Sequence, residues 1–405
     1  MGSFEKNIKI CFVTREYAHP HMGKTGGIGV FLKQFTQELK QHHFDIVIFT
    51  FGANPLKFND AGANIVRIRD LSRFNEWIKA PLRRHKVPGY ITVKLILEFI
   101  NRFYISMYLS VFVLKHKFDV IEFHDYGGDA PYFIGRITKI VRCHGSANTL
   151  HQFMGYGKRL TDFIFERHFF KRFHNHVIAV SKYSAETTKQ AFQLKKMPKV
   201  IYSGIQVPSA KSKSRYIDLP TVPYTIFYFG SIRERKGIDI ACRTFNAIVV
   251  KYPDATFHVL GNNNNDYWNT DAKHILSTQA LQNTTYYGAI PNVEINNYLQ
   301  NAHVVLFPSF GENFSIALLE VMALGKIVIV SDIPSFHEII KHEENGFIAK
   351  NDDDYVKLVE KVFNQAVDIN TISKQALKTI VANFERKQVI KQNINYYKSL
   401  VSFES

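Results

Sequence analysis

The stretch Pro308-Ser-Phe-Gly-Glu-Asn-Phe-Ser-Ile-Ala-Leu-Leu-Glu-Val-Met-Ala-Leu-Gly325 carries two glutamates, Glu312 and Glu320, with seven residues between them. The apolar run Ala302-His-Val-Val-Leu-Phe-Pro308 precedes it and ends at proline; a second such run, Lys326-Ile-Val-Ile-Val-Ser-Asp332, follows. The pattern predicts strand, loop, helix, strand, with Glu312 in the loop and Glu320 about two turns inside the helix, at most ~12 Å further along at 1.5 Å per residue. Unpaired amides and the positive dipole end of a helix N-terminus suit a phosphate. A carboxylate on each side of that point can hold the hydroxyls of two sugars joined through a diphosphate.

Outward from this stretch, short apolar runs alternate with amphipathic ones. Strands are expected at 8–14, 45–51, 64–69, 119–123, 138–143, 176–180 and 199–202, then at 224–230, 255–260, 284–287, 303–307 and 326–330. Helical patterns such as Val30–Lys40, Gly237–Lys251, Ile295–Ala302 and Tyr355–Gln365 separate them. Continuously apolar strands alternating with helices predict parallel sheets covered on both faces. The pattern runs through twice and breaks at the Ser- and Lys-rich segment Val207-Pro-Ser-Ala-Lys-Ser-Lys-Ser-Arg215, which has linker composition. The fold class expected is α/β, with two Rossmann-like doubly wound domains facing across a cleft. The first takes residues 1–206 plus a returning C-terminal helix at 386–405, and the second residues 207–385. Ligands of such sheets bind beyond the carboxyl ends of the strands.

Composition narrows the class. Three cysteines (Cys11, Cys143, Cys242) in 405 residues, without metal-type spacing, predict no disulfide framework and a reducing, cytoplasmic setting. The first strand follows directly on the N-terminus, so no signal peptide is expected, and Lys6 stands where a myristoylation signal needs Ser or Thr. The formal net charge of +16 is uneven: residues 1–200 hold 31 Lys+Arg against 15 Asp+Glu, which leaves 20 of each for residues 201–405. A basic half beside a neutral half predicts an anionic partner on the first domain. The apolar, aromatic segment Val87–Lys117 carries Lys94, Glu98, Asn101 and Arg102, too many polar groups for a span of ~20 apolar residues. It is expected as a pair of core helices, or else as a basic aromatic surface for an interface or a lipid-bearing acceptor.

Other residues point to chemistry. Gly23-Lys-Thr-Gly-Gly-Ile-Gly29 opens a helix, but eight residues separate it from the first strand and the G-x-G-x-x-G order is absent, which disfavours a dinucleotide oxidoreductase. His124 and His144 end strands in the first domain, where each is a candidate for chemistry or for structure alone. In Tyr228-Phe-Gly-Ser-Ile-Arg-Glu-Arg-Lys-Gly237, Lys236 with Arg233 or Arg235 can neutralise a diphosphate as it leaves. No Asp-x-Asp pair ends a strand; Asp352-Asp-Asp354 falls late, in an expected surface loop, so no metal site is expected. No interleaved basic and aromatic motif for nucleic acid is present, which leaves a basic lipid- or nucleic-acid-binding protein as the weaker, non-enzyme reading.

These pieces, in this order and over almost the whole chain, resemble family 4 of the retaining glycosyltransferases, enzymes of the GT-B architecture. The resemblance is carried by Gly26-Gly-Ile-Gly-Val-Phe31, His144-Gly-Ser146, Ile178-Ala-Val-Ser181, Ile201-Tyr-Ser-Gly-Ile205, Gly230 through Lys236-Gly237, Val259-Leu-Gly261, Tyr287-Gly288, the glutamate pair with Asn345-Gly-Phe347, and Phe384-Glu-Arg with Tyr396-Tyr397. It implies that Glu312 contacts the transferred sugar, Glu320 the nucleotide ribose and Lys236 the donor phosphates. It also implies that Gly27, Ile28 and Gly29 face the diphosphate and sugar, and that His144 contacts the sugar near the reacting centre. Amides near Asn313, Phe314 and Ser315 hold the distal phosphate, and Gly288 to Ile290 flank the base. His124 and Asp125 are candidates for the acceptor. Ser231 departs from the family's usual Arg, and Arg233 is the candidate substitute; Ser315, Ser203 and Gln206 are further departures.

The resemblance implies a UDP- or GDP-sugar as substrate, no cofactor and no metal. It implies transfer by front-side attack to a hydroxyl of a glycan or lipid-linked acceptor, and the basic first half adds the expectation of an anionic acceptor at the inner face of the cell membrane. A GT-B phosphorylase and a nucleotide-sugar epimerase are the rival enzyme readings.

Overall fold

The computed structural model describes residues 7–23, 25–208, 224–291 and 294–401. Met1-Gly2-Ser3 and Lys6, Lys24 of the first glycine loop, and the part of the linker from Ser209 onward lie outside the described residues. The chain divides into two compact units, Met1–Tyr202 with Ile390–Ser405, and Ser203–Val389.

In the first unit, β1 (Ile8–Val13), β2 (Phe44–Gly52), β3 (Leu56–Asp60), β4 (Ala63–Arg69), β5 (Val120–His124), β6 (Thr138–Cys143), β7 (His176–Ala179) and β8 (Lys199–Val200) form one sheet in the order β3-β4-β2-β1-β5-β6-β7-β8. Every pairing is parallel except β3 with β4. The central strands carry Ile10, Phe12, Ile48, Ile121, Val141 and Ile178 without exposure, as parallel strands covered on both faces require. β3 has no clear apolar signal: its pattern Leu-Lys-Phe-Asn-Asp is that of a half-exposed edge strand, the kind sequence periodicity reports least well.

The segment after β4 corrects an expectation. It is one continuous helix rather than a pair within 87–117. A helix at Ser72–Arg84 (α2) packs against the long helix Tyr90–His116 (α3). By length and composition α3 is able to cross a membrane. Its inner side nevertheless belongs to the core: Ile105, Leu109 and Val113 pack with Phe49, Phe123 and Val13 of the sheet. The buried polar residues of α3 all have partners. Asn101 accepts the Leu71 amide at 2.9 Å, Arg102 donates to the Gly127 carbonyl at 3.0 Å, and the Ser106 hydroxyl accepts the Tyr132 amide at 3.1 Å.

The last helix, α4 (Arg386–Val401), begins in the second unit, and its residues from Ile390 belong to the first. There a buried ion pair holds it. Arg142 donates to Glu122 at 2.6 Å, to the Asn393 side-chain oxygen at 2.8 Å and to the Tyr397 hydroxyl at 3.1 Å, and Tyr397 donates to Glu122 at 2.7 Å. Neither charged group is more than 1% exposed, so only this mutual satisfaction makes their burial tolerable.

In the second unit, β9 (Thr225–Phe229), β10 (Thr256–Leu260), β11 (Thr284–Gly288), β12 (Val304–Phe307), β13 (Ile327–Ser331) and β14 (Phe347–Ala349) pair in parallel in the order β11-β10-β9-β12-β13-β14. The core joins Ile226, Tyr228 and Leu306 of the sheet to Phe245 and Ile248 of the helix Ile238–Lys251. Asp352-Asp-Asp354 is not surface loop: it opens the helix Asp352–Phe363, where three carboxylates favour the positive dipole end and Asn351 caps the Asp354 amide.

Candidate active site

The two sheets place their catalytic candidates at strand ends. In the second unit, the turn after β9 meets the loop after β12. Gly237 has φ +70°, and a Cβ there would lie 1.9 Å from the Pro308 carbonyl oxygen; only glycine permits this approach. A second close approach fixes the other end of the same turn: a Cβ on Gly261 would sit 1.7 Å from the Gly230 carbonyl oxygen. Further bonds fasten the two loops together. The Phe310 amide donates to the Arg235 carbonyl at 3.0 Å, and the Arg235 guanidinium donates to the Gly311 carbonyl at 2.6 Å. The buried Tyr228 hydroxyl lies 3.0 Å from the Ser231 carbonyl and 3.3 Å from that of Lys236, bracing the cationic turn from beneath.

This packing brings Lys236 to Glu312. The ammonium and the carboxylate form a direct ion pair, and the Ser309 hydroxyl donates to the same carboxylate oxygen at 2.9 Å. Burial pushes the Glu312 carboxyl up; Lys236, Arg235 and Ser309 more than offset this, so it titrates below its ordinary range and is an anion near neutral pH. Its neighbours Tyr228, Lys236, Ser309 and Ser315 line a small cavity of about 20 Å³.

Ser315 is the N-cap of the helix Ile316–Ala323, its hydroxyl accepting the Leu318 amide at 3.3 Å. Because Asn313, Phe314 and Ser315 precede the helix, Glu320 is its fifth residue, little more than one turn inside, and not the expected two turns. Burial pushes the Glu320 carboxyl up to about 7, with Arg386 opposing. Asn313 and Phe314 are half-buried, and the Phe314 ring packs 5.7 Å from Phe384. Gly288 ends β11 with φ +74° and accepts the Gly261 amide at 2.9 Å; Ile290 follows it, half-buried.

Arg233 is half-buried, and its Nε has no hydrogen-bond partner among the described residues. A buried guanidinium donor left unpaired is costly, and an anion is the partner it is built for. Ser231, where the family usually has Arg, lies two residues away in the same turn.

In the first unit, Gly27, Ile28 and Gly29 form the first turn of the helix Gly27–Lys40, whose amides have no acceptor within the helix. Gly27 is exposed and Gly29 buried, and the Gly26 amide is already held by the Glu16 carboxylate at 2.9 Å. His144 is half-buried, with its ring edge-on to Phe31 at 4.8 Å and 5.0 Å from His124. Burial, His124 and Arg142 hold it well below the ordinary imidazole range, so it is neutral at pH 7.

His124 and Asp125, the expected acceptor residues, are both buried in this structure. Asp125 is wholly buried and spends both carboxylate oxygens on the backbone amides of His144 and Gly145, at 3.0 Å each. Burial raises it to about 7 against the pull of those bonds. Both His124 nitrogens are buried, and burial with Arg142 nearby pushes that ring down to about 3. Neither His124 nitrogen has a hydrogen-bond partner among the described residues, whereas Asp125 sets the loop that carries His144.

Sequence reasoning did not single out Glu166, which does the same from the other side. Its carboxylate accepts the amides of Gly127 (2.9 Å), Ala147 (2.8 Å) and Asn148 (2.9 Å). Ser309 and Glu16 were missed as well.

With this geometry in view, the sequence comparisons decide the family. Residues 25–207 match the model for Glycosyltransferase Family 4, and residues 211–379 match that for Glycosyl transferases group 1.

The chain belongs to the family-4 glycosyltransferases of GT-B architecture.

An uncharacterized glycosyltransferase of Methanocaldococcus jannaschii is 25% identical over 96% of this chain and 98% of its own. A phosphatidyl-myo-inositol mannosyltransferase of Mycobacterium tuberculosis is 25% identical over 38% of this chain and 39% of its own. HepE of Anabaena, solved with UDP and glucose, shares the fold with a TM-score of 0.68 at 16% identity, over 97% of this chain and all of that one.

Proposed function

We propose that the enzyme transfers a sugar from a UDP- or GDP-sugar to a hydroxyl of a glycan or lipid-linked acceptor, with retention at the anomeric carbon and without a metal ion. The observation that carries this reading is the Glu312 carboxylate, fixed by Lys236 and Ser309 beside the N-terminus of the helix Ile316–Ala323, with the unpaired Arg233 donor in the same loop system. An anionic carboxylate so held is suited to accept hydrogen bonds from sugar hydroxyls, while Lys236 and Arg233 face the charge that grows on the diphosphate. In the step, the acceptor oxygen bonds to the anomeric carbon as the bond to the phosphate oxygen breaks, and the acceptor proton passes to that departing oxygen. The gain comes from preorganised charge, which is stronger for the transition state than for the bound donor.

Glu320, further along the same helix, is assigned the ribose hydroxyls, and Gly288 to Ile290 the base. In the first unit, Gly27, Ile28 and Gly29 are assigned the diphosphate and sugar, and His144, a neutral imidazole, a sugar hydroxyl. The name of the mycobacterial relative, a phosphatidyl-myo-inositol mannosyltransferase, supports a lipid-linked acceptor; the inner face of the membrane is assigned as its setting from the basic charge of the first half.

NMR of the freshly formed product gives the anomeric configuration, which is expected to match that of the donor. Turnover is expected to persist in excess EDTA. An inverted product, or activity lost in EDTA and restored by Mg²⁺ or Mn²⁺, removes the corresponding part. Conversion of the donor with phosphate as sole acceptor favours a phosphorylase instead. Arg233→Ala is expected to raise the donor KM ~10-fold through the loss of one charge-assisted bond; an unchanged KM removes Arg233 from the phosphate site.

A further inference from the structure

The helix α3 is apolar on both sides: Leu97, Ile105, Leu109 and Val113 are buried on the core side, which they share with three polar residues. Its buried side carries the hydrogen-bonded Asn101, Arg102 and Ser106, whereas Ile96, Ile100, Phe103, Val111 and Leu114 stand exposed at helical spacing along the opposite side. Val111 is 67% and Leu114 81% exposed, and Trp77 of α2 adds a further exposed aromatic at 74%. At 27 residues this face runs for ~40 Å. Apolar strips of this extent on a folded protein mark a contact surface. Cations flank it: Arg83, Arg84 and Lys86 before the helix, Lys115 and Lys117 at its end, all exposed. An apolar face with basic ends complements an anionic bilayer surface.

At the N-terminal end of α3 opens a cavity of about 540 Å³. Its lining includes the exposed Ile91 together with Lys94, Glu98 and Arg102 on successive turns of α3, and Arg15, Lys158, Arg159 and Asp162 opposite. Five cations thus stand against two carboxylates, and both carboxylates are engaged by Arg102, at 2.6 Å for Glu98 and 3.3 Å for Asp162. Asp129 grips the Arg15 guanidinium through two nitrogens. Lys94, Lys158 and Arg159 have no ion pair among the described residues; Arg159 donates to the Tyr126 hydroxyl at 2.8 Å, and Lys158 sits over the Phe163 ring. Arg15 lies two residues beyond β1 and Tyr126 two beyond β5. These are adjacent strands from which the sheet order proceeds in opposite directions, the point at which open parallel sheets bind their ligands.

We propose that this cavity binds the phosphate-bearing headgroup of a lipid acceptor while the outer face of α3 lies in the surface of an anionic bilayer. The proposal deepens, and rests on, the reading of the acceptor as lipid-linked. Ile91, exposed in the cavity lining at the N-terminal end of α3, gives an amphiphile with its phosphate among Lys94, Lys158 and Arg159 an apolar contact beside that phosphate.

The test is flotation of the full-length enzyme with vesicles of phosphatidylcholine, alone or mixed with phosphatidylglycerol, alongside donor hydrolysis measured without acceptor. Binding to the mixed vesicles, weakened by salt, is expected. The double variant Val111→Glu, Leu114→Glu is expected to lower the partition coefficient roughly 100-fold, at unchanged Tm and unchanged donor hydrolysis. Lys94→Ala with Arg159→Ala is expected to keep the enzyme on vesicles at least in part, yet to abolish the Tm shift produced by glycerol phosphate. No flotation at low salt, or flotation untouched by Val111→Glu, Leu114→Glu, overturns the docking. So does a dimer in light scattering that this variant dissolves, since a second copy then covers the face. A glycerol phosphate or inorganic phosphate shift without vesicle binding assigns the cavity to a free phosphate and overturns the lipid source. Donor hydrolysis that persists through any of these failures leaves the glycosyltransferase reading intact; its absence in the wild type is the failure of that reading instead.

Discussion

The loops around Glu312 in the second unit and the helix α3 in the first reveal their roles by opposite means. The loops depend on close approach: Gly237 and Gly261 let two turns touch backbone to backbone, and the contact places Lys236 on Glu312. Few residue types can fill those positions, so the chemistry shows in short motifs. α3 depends on which side of a helix each residue occupies, and many residue types can fill an apolar exposed face. The same uniformly apolar run describes a core helix, a membrane span or a docking face until the fold assigns its sides. In this chain the proposed donor side can therefore be recognised from motif order, and the proposed acceptor side only from packing.

The largest expected effect lies on the donor side. Glu312→Ala removes a carboxylate that three groups hold in its ionised form, and turnover is expected to fall by roughly 10³-fold with the fold intact; wild-type turnover by a coupled nucleotide-release assay would sink the donor assignment. In the first unit, Arg142→Ala leaves Glu122 charged and buried without its partner, which is expected to cost about 3–5 kcal/mol in a urea unfolding titration. A change within error would mean that the last helix is held by apolar packing alone. Gly237→Ala forces a methyl group onto the Pro308 carbonyl at a positive φ, and is expected to destabilise the second unit by ~3 kcal/mol. By contrast, Leu114→Ala on the open face of α3 is expected to stay within ~0.5 kcal/mol. Equal losses at these two positions would erase the distinction drawn here.

A pH dependence sharpens the donor side further. The Glu320 carboxyl is raised in the fold to about 7, so it favours the folded state at low pH, and that contribution is lost as the pH rises from the ordinary carboxyl range through 7. Ribose hydroxyls donate best to the ionised form, so donor affinity is expected to move the other way, rising ~10-fold between pH 6 and pH 8. Glu320→Gln should flatten that profile; an unchanged profile in the variant would place the titration elsewhere.

Most of the frame was legible in the sequence. Twelve apolar runs named from the residues coincide with strands, because parallel strands buried on both faces leave unbroken apolar signals; the edge strand β3 leaves none, and β14, the other sheet's edge strand, is an apolar run of only three residues. The glutamate pair and Lys236 were legible because each sits in a short glycine-bearing motif at a strand end, although Lys236 and Glu312 are 76 residues apart. Glu166 was not, since it lies inside the helix Leu160–Arg172 with no such motif around it, and its partners are backbone amides, which any residue supplies. Asp125 misled because a strand-end carboxylate looks the same whether it turns outward to a ligand or inward to hold two amides. Glu320 came out one turn nearer the helix start because Ser315 prefers the capping position to the helix interior.

The central claim is that the paired loops of the second unit hold a nucleotide-sugar donor through Glu312 and Lys236. Calorimetric titration of uridine and guanosine diphosphate sugars against the wild type, Glu312→Gln and Lys236→Ala tests it most directly. The account predicts that the matched donor binds the wild type and that each variant loses at least ~10-fold in affinity. Donor affinity unchanged in both variants would contradict it.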